Sequence, residues 1–157
     1  MYKRQPYEEA AVLTMDGVGE WATSSIGHGK GASLEMLFEL RFPHSVGLLY
    51  SAFTYFCGFK VNSGEYKLMG LAPYGEPRFA DVIRREVVEV HDDGSIRLDL
   101  DKFEFAHGLT LTGRAIERLF GGPARAAEPL PTHRQVDTAA PVRARTQENR
   151  LQRARHT

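Results

Sequence analysis

One stretch decides the fold, and it reads Ala10-Ala11-Val12-Leu13-Thr14-Met15-Asp16-Gly17-Val18-Gly19-Glu20-Trp21. Residues 11–15 form a short apolar run, which predicts a β-strand buried on both faces. The run stops abruptly at Asp16-Gly17. A polar turn with a carboxylate and two glycines therefore lies at the carboxyl end of this strand, and the rest of the chain is expected to support it.

Two interpretations of this turn are open. Gly17 and Gly19 permit a positive φ, so the amides of Gly17, Val18 and Gly19 could face a phosphate while Asp16 holds a cation or a water. Alternatively, Asp-Gly between two β-prone runs is a strong signal for a β-hairpin, with residues 21–26 as the return strand. The local chemistry alone favours the hairpin.

Composition predicts one globular domain without a large charged surface. The chain has 157 residues, of which 42% are hydrophobic, and 20 basic residues balance 20 acidic ones. With a net charge of zero, no overall field attracts nucleic acid or an anionic membrane, so neither is an expected partner. The single cysteine, Cys57, excludes an intrachain disulfide framework and favours a reducing, cytoplasmic location. The longest nearly apolar run, residues 46–59, is too short to cross a bilayer.

A buried helix is predicted after the turn region. Ser45 can cap it, Gly58 can end it, and apolar side chains recur at three- and four-residue steps between them. Tyr50 and Tyr55 on this helix are either ligand contacts or structural aromatic residues.

A second helix is predicted over residues 65–72, with Ser63 as its N-cap. The dipole of this helix favours a carboxylate such as Glu65 in the first turn, whatever else that residue does. Gly70, in the interior of this helix, indicates the close approach of another backbone or of a ligand.

The two ends of the chain give weaker signals. Residues 1–5 are polar and are interpreted as a non-native or disordered leader. Residues 128–157 are interpreted as a linker and a weakly held C-terminal helix, because they contain few apolar side chains and because Pro141 falls inside the helix. The sequence thus predicts one main domain, residues 6–127, between a leader and a solvated tail.

Three segments resemble one family, the O-carbamoyltransferases of nodulation-factor and antibiotic biosynthesis. The segments are residues 6–21, 41–50 and 60–77, and they include the motifs Met15-Asp16-Gly17-Val18-Gly19-Glu20-Trp21, Arg41-Phe42-Pro43-His44-Ser45-Val46-Gly47 and Lys67-Leu68-Met69-Gly70-Leu71-Ala72-Pro73-Tyr74-Gly75. The resemblance covers residues 6–123 well and residues 128–156 more loosely.

This resemblance implies a fold and an activity. The fold is a mixed α/β (α+β) arrangement, part of an actin-like ATPase (ribonuclease H-like) domain, with a hairpin-led sheet and packed helices. The activity is transfer of a carbamoyl group from carbamoyl phosphate, through carbamoyl adenylate, to the hydroxyl of a small molecule. The family also has a separate adenylate-forming domain, so the resemblance implies that this chain is a fragment that is inactive alone.

The resemblance also assigns roles to individual residues. Asp16 matches a ligand of a divalent metal ion, and Gly17 and Gly19 match a turn that faces the phosphate. Glu65 and Lys67 fall where the superfamily contacts ATP or carbamoyl adenylate, the carboxylate at ribose hydroxyls and the ammonium at phosphate. A pair of histidines and a further aspartate complete the family's metal site, and they have no match in this sequence.

Two other functions are alternatives. One is a nucleotide-binding module of the actin and sugar-kinase superfamily, but no second Asp-Gly turn precedes Asp16 to bind phosphate. The other is a non-catalytic interaction fragment, in which Asp16-Gly17 is only a hairpin turn. Binding of ATP or carbamoyl adenylate with a divalent metal ion separates this last alternative from the other two.

Overall fold

The computed structural model describes residues 7–106, 108, 110–126 and 132–155. Its strands are Glu9–Met15 (β1), Ala22–Lys30 (β2), Ser33–Arg41 (β3), Val88–Val90 (β4) and Ile96–Leu98 (β5). Its helices are Val46–Phe56 (α1), Glu65–Leu71 (α2), Ala80–Glu86 (α3), Arg114–Leu119 (α4) and His133–Arg155 (α5). The predicted mixed α/β class with a hairpin-led sheet is confirmed, whereas the actin-like architecture stays a prediction. The predicted leader lies outside the described residues, as does much of the predicted linker.

The first sheet is antiparallel and has the order β1-β2-β3. Its register pairs Leu13 with Ile26 and Met15 with Ser24, so residues 16–21 connect the two strands of a hairpin. The hairpin interpretation of Asp16-Gly17 is therefore confirmed. The expectation that β1 is buried on both faces is wrong, since its residues alternate between exposed and half-buried. The reason is that β1 lies at an edge of the sheet and, among the described residues, packs against the main core through Met15 at its end.

The third strand leaves apolar side chains in solvent. Leu34 is 48% exposed, Met36 is 53% exposed and Phe38 is 66% exposed. The sheet reaches the main core through Met15 and Leu40 at one end. The Asp16 turn is therefore the place where the sheet meets the helices.

The main core is built around α1. Ser45 caps this helix by accepting a hydrogen bond from the Leu48 amide at 3.1 Å, and the helix ends at Phe56, as its sequence predicts. Phe53 and Phe56 are fully buried. The Phe120 ring contacts both of them, with its centroid 5.3 Å from that of Phe53 and 5.7 Å from that of Phe56. This aromatic cluster gives α1 a fixed position from which its N-terminus meets the Asp16 turn.

The long C-terminal helix α5 packs against this core. It runs for 23 residues, contains Pro141, and buries Ala139 and Val142 together with polar residues such as Thr138 and Asn149. Asn149 Nδ2 donates to the Gly94 carbonyl at 2.7 Å, and Thr138 Oγ1 donates to the Arg134 carbonyl at 2.7 Å. The expectation of a solvated helix is corrected by this burial, because buried polar groups with hydrogen-bond partners can replace the missing apolar side chains. Within the described residues, no helix combines the length and the apolar character needed to cross a membrane.

His44 links the first sheet to the second one, the β4-β5 hairpin. Its Nδ1 accepts a hydrogen bond from the Leu98 amide at 3.1 Å. Burial, together with the positive charge of Arg97, lowers the pKa of His44 below 6.5. A protonated Nδ1 cannot accept this hydrogen bond. At pH values between the lowered pKa and 6.5, His44 is therefore protonated less often in the native state than in the unfolded chain.

We therefore expect the free energy of unfolding to decline as the pH falls below about 6.5, towards the lowered pKa of His44. Urea unfolding at a series of pH values measures this slope. The matched variant is His44→Asn, whose side-chain oxygen can accept the Leu98 amide without titrating. Its stability should depend less on pH than that of the unmodified chain, and an identical pH profile for the two proteins would contradict the role of His44.

Candidate functional site

The candidate site starts at the turn between β1 and β2. The Asp16 amide donates to the Thr23 carbonyl at 2.8 Å, which ends the strand pairing. The exposed Asp16 carboxylate accepts the Gly17 amide at 2.6 Å. Gly19 has a φ of 60°, and a Cβ there would lie 2.4 Å from the Ala22 carbonyl oxygen, so only glycine fits.

The structure corrects the conformation predicted for Gly17. Its φ is not positive, and an added Cβ would meet nothing within 4 Å. Its amide points to the Asp16 carboxylate and not outward. Of the three amides predicted to face a phosphate, those of Val18 and Gly19 have no hydrogen-bond partner among the residues described. The capacity of the turn to bind an anion therefore rests on these two.

The start of α1 holds the turn in place. The Ser45 hydroxyl donates to the Gly17 carbonyl at 2.6 Å, and the Asp16 carbonyl lies 3.2 Å away. Gly47 lies directly against the turn, since a Cβ there would be 2.7 Å from the Asp16 carbonyl oxygen and 2.8 Å from the Gly17 Cα. Only a residue without a side chain permits this approach. The turn is thus a fixed structure at the N-terminus of a helix, where the helix dipole favours anions.

An open cleft surrounds the turn, and it has two halves that share Asp16, Gly17, Gly47 and Tyr50. The first half has a volume of about 830 Å³ and contains the carboxylates of Glu20 and Glu65. We call it the acidic half. The structure therefore brings Asp16, Gly17, Gly19 and Glu65 of the predicted site to one cleft.

Glu65 has a structural role as well. Its carboxylate accepts the amide of Asn62 at 2.8 Å and that of Gly64 at 3.1 Å, and Ser51 Oγ donates to it at 3.3 Å. The predicted N-cap, Ser63, does not cap α2. The N-cap residue is Gly64, which has no side chain for the task, and the Glu65 carboxylate occupies the place of a cap.

Lys67 and Gly70 lie away from the site. Lys67 is exposed, its Nζ is 6.0 Å from the centroid of the Tyr66 ring, and it does not line the cleft. The close approach predicted at Gly70 is not found among the described residues, because an added Cβ would meet nothing within 4 Å. These two residues share α2 with Glu65 but face another direction.

The second half of the cleft has a volume of about 690 Å³ and lies between β1 and α5. Its walls are the apolar Leu13, Met15 and Val46, with Thr146 and Arg150 from α5. We call it the basic half, because Arg150 is the charged side chain that it adds to Asp16. The sequence gives little indication of this half, since Arg150 is more than 130 positions from Asp16 in a stretch that looks solvated.

The described residues do not assemble a metal centre by themselves. No group of three His, Cys, Asp or Glu side chains among them could hold a metal ion. A hard divalent cation needs several oxygen ligands at once, and here Asp16 offers one carboxylate. The carboxylates of Glu20 and Glu65 line the same cleft without converging on it.

Comparison with known proteins agrees with the resemblance of the three segments. The family described as Carbamoyltransferase N-terminus matches residues 1–152 of the 157. The chain belongs to this family. The predicted membership of the O-carbamoyltransferase family is confirmed.

Similar curated proteins are much longer than the chain. The uncharacterized protein sll1178 of Synechocystis sp. is 54% identical over 142 residues, which are 90% of the chain and 23% of that protein. Nodulation protein NolNO of Sinorhizobium fredii is 34% identical over 96 residues, which are 61% of the chain and 14% of that protein. Nodulation protein NolO of Bradyrhizobium diazoefficiens is 31% identical over 96 residues, 17% of its length. The chain thus spans less than a quarter of the length of these curated relatives.

Proposed function

We propose that this chain forms part of the ligand site of an O-carbamoyltransferase that acts on a hydroxyl-bearing small molecule. The carbamoyl donor is carbamoyl phosphate, and the group passes through carbamoyl adenylate. The observation that carries the proposal is the clamped turn at the N-terminus of α1, which lines one cleft together with Glu65. A cytoplasmic location is proposed from the buried, free thiol of Cys57.

The predicted nucleotide contacts have the following roles in this proposal. The amides of Val18 and Gly19 donate to a phosphate oxygen of ATP or carbamoyl adenylate. The Glu65 carboxylate, already fixed by two backbone amides, accepts a hydrogen bond from a ribose hydroxyl. The phosphate contact proposed for Lys67 requires its side chain to reach over from the exposed face of α2.

Asp16 is proposed as one ligand of a divalent cation whose other ligands come from outside the described residues. A bound cation there would neutralise phosphate charge. The support for this is chemical: the carboxylate is exposed at the turn, so one of its oxygens is open to a ligand while the other holds the Gly17 amide. The residues described give the cation no complete site by themselves.

Titration of the isotope-labelled chain tests the nucleotide part of the proposal. ATP and carbamoyl adenylate, each with Mg²⁺, should shift the amide resonances of Val18, Gly19 and Glu65 in a saturable way. Binding should be weak, because one carboxylate gives a cation little affinity. The resonances of the β4-β5 hairpin serve as an internal control and should not move. Shifts spread evenly over the chain, or none at all, would contradict the proposal and favour the interaction fragment.

A further inference from the structure

The basic half of the cleft contains a buried polar atom without a partner. The Tyr50 hydroxyl is shielded from solvent and has no hydrogen-bond partner among the described residues. An unpaired buried hydroxyl is unfavourable, so such groups in native proteins usually serve a ligand or a water. Burial raises the pKa of Tyr50, so its hydroxyl is protonated at neutral pH. The O–H group can therefore donate a hydrogen bond to an acceptor.

The same half of the cleft contains a guanidinium without a salt-bridge partner. Arg150 is exposed on α5, and the ion pairs formed by the described residues do not include it. By contrast, Arg145 on the same helix pairs with Glu148. A second cation, Arg143, is close enough to Tyr50 to lower its pKa, whereas the Glu65 carboxylate acts in the opposite direction, so the phenol lies between a cation and an acidic group.

The remaining walls of the basic half are largely apolar. Leu13, Met15 and Val46 line the space between Tyr50 and Arg150. Apolar walls lower the local dielectric, which strengthens hydrogen bonds from a guanidinium to an anion. A phenol O–H and a guanidinium are both donors, and phosphate oxygens are the acceptors that such a pair suits.

We propose that the Tyr50 hydroxyl and the Arg150 guanidinium form a phosphate-binding subsite in the basic half of the cleft. This proposal rests on the proposed function, since it uses the same cleft. Phosphate groups then have donors on both sides of the Asp16 turn, with the Val18 and Gly19 amides in the acidic half and the Tyr50 and Arg150 side chains in the basic half. Helix α5 becomes part of the ligand site.

Titrations of the full chain in metal-free buffer test this subsite. Pyrophosphate is the probe, because it has phosphate groups but no base or ribose. Arg150→Gln should weaken its binding by about tenfold, since it removes a charge-assisted hydrogen bond. Tyr50→Phe should weaken it by about threefold to tenfold while keeping the ring in the core. Arg155→Gln is the matched control, because Arg155 is exposed on the same helix and lines a different groove.

The outcomes separate this subsite from general electrostatic attraction. Weaker binding in the Arg150 and Tyr50 variants, with unchanged binding in the Arg155 variant, supports the subsite. Equal losses in the two arginine variants, or no binding of pyrophosphate by the unmodified chain, overturn it. Unchanged melting temperatures show that each variant is folded, and Tyr50→Phe keeps the test valid if Arg150→Gln disturbs α5.

Further ligands distinguish this subsite from the proposed function as a whole. If ATP shifts Glu65 while pyrophosphate does not bind, the subsite is overturned and the nucleotide site stands. If pyrophosphate binds through Arg150 while ATP leaves Glu65 unmoved, the subsite is supported and the nucleotide site fails. Binding of carbamoyl phosphate and of ATP to the unmodified chain and to Arg150→Gln shows which of them provides the phosphate. The ligand whose phosphate binds at the subsite should lose affinity in the variant by the same factor as pyrophosphate.

Discussion

Asp16→Asn is expected to lower carbamoyl transfer by more than about 100-fold in a full-length carbamoyltransferase that carries this sequence. The substitution removes the charge that a cation needs, and even residues one layer away from a metal ion typically change its affinity by about 10- to 100-fold. Asparagine can still accept the Gly17 amide, so the hairpin should be retained. The rate of carbamoyl transfer and the melting temperature in metal-free buffer are the two measurements.

The chain provides a matched control for this substitution. Asp93 lies in the other hairpin, is also followed by a glycine, and accepts the Ser95 amide at 2.8 Å. Asp93→Asn should leave the transfer rate within about twofold, because Asp93 does not line the cleft. Intact turnover in Asp16→Asn would show that the Asp16 turn is only a hairpin. Equal losses in both variants would show that the effect comes from folding.

Gly75→Ala is expected to destabilise the chain by about 1 to 3 kcal/mol, the usual cost of overpacking. A Cβ at Gly75 would lie 2.1 Å from the Val136 carbonyl oxygen and 2.5 Å from its carbonyl carbon, so the start of α5 would have to move. The backbone of Gly75 is extended, with φ of −106° and ψ of 155°, and alanine adopts it without strain. The neighbouring Glu76 amide donates to the buried Asp137 at 2.9 Å, and this contact would be strained as well.

Denaturant unfolding measures this effect, and Gly70→Ala is its control. Gly70 lies in α2 with open space where a Cβ would be, so alanine there should stabilise the chain by about 0.5 to 1 kcal/mol. Opposite signs for two identical substitutions five residues apart would show that α5 is packed firmly against the segment after α2. A neutral Gly75→Ala would indicate that α5 is loosely held, as its composition suggests.

Local signals in the sequence identified the elements near the site. The apolar run before Asp16 indicated β1, and the Asp-Gly pair indicated the hairpin turn, because both depend on neighbouring residues only. The same holds for α1, whose cap at Ser45 and apolar periodicity are encoded in one short segment. The degree of burial of β1 was not encoded there, because it depends on how many strands pair with it.

The errors concern contacts between distant parts of the chain. Counting apolar residues missed the burial of α5, since Asn149 is buried by donating to Gly94, 55 positions away. The exception is local: the Glu65 carboxylate took over the cap expected from Ser63, because it reaches two neighbouring backbone amides. The convergence of Gly47, Tyr50 and Arg150 on the Asp16 turn follows from packing, which no local pattern in the sequence reports.

The most direct measurement of the central claim is the structure of a full-length carbamoyltransferase carrying this sequence, determined with ATP or carbamoyl adenylate bound. The account predicts a phosphate within hydrogen-bond distance of the Val18 and Gly19 amides, with the Asp16 carboxylate facing the same ligand. A nucleotide bound elsewhere, with the Asp16 turn facing only protein or solvent, would contradict it.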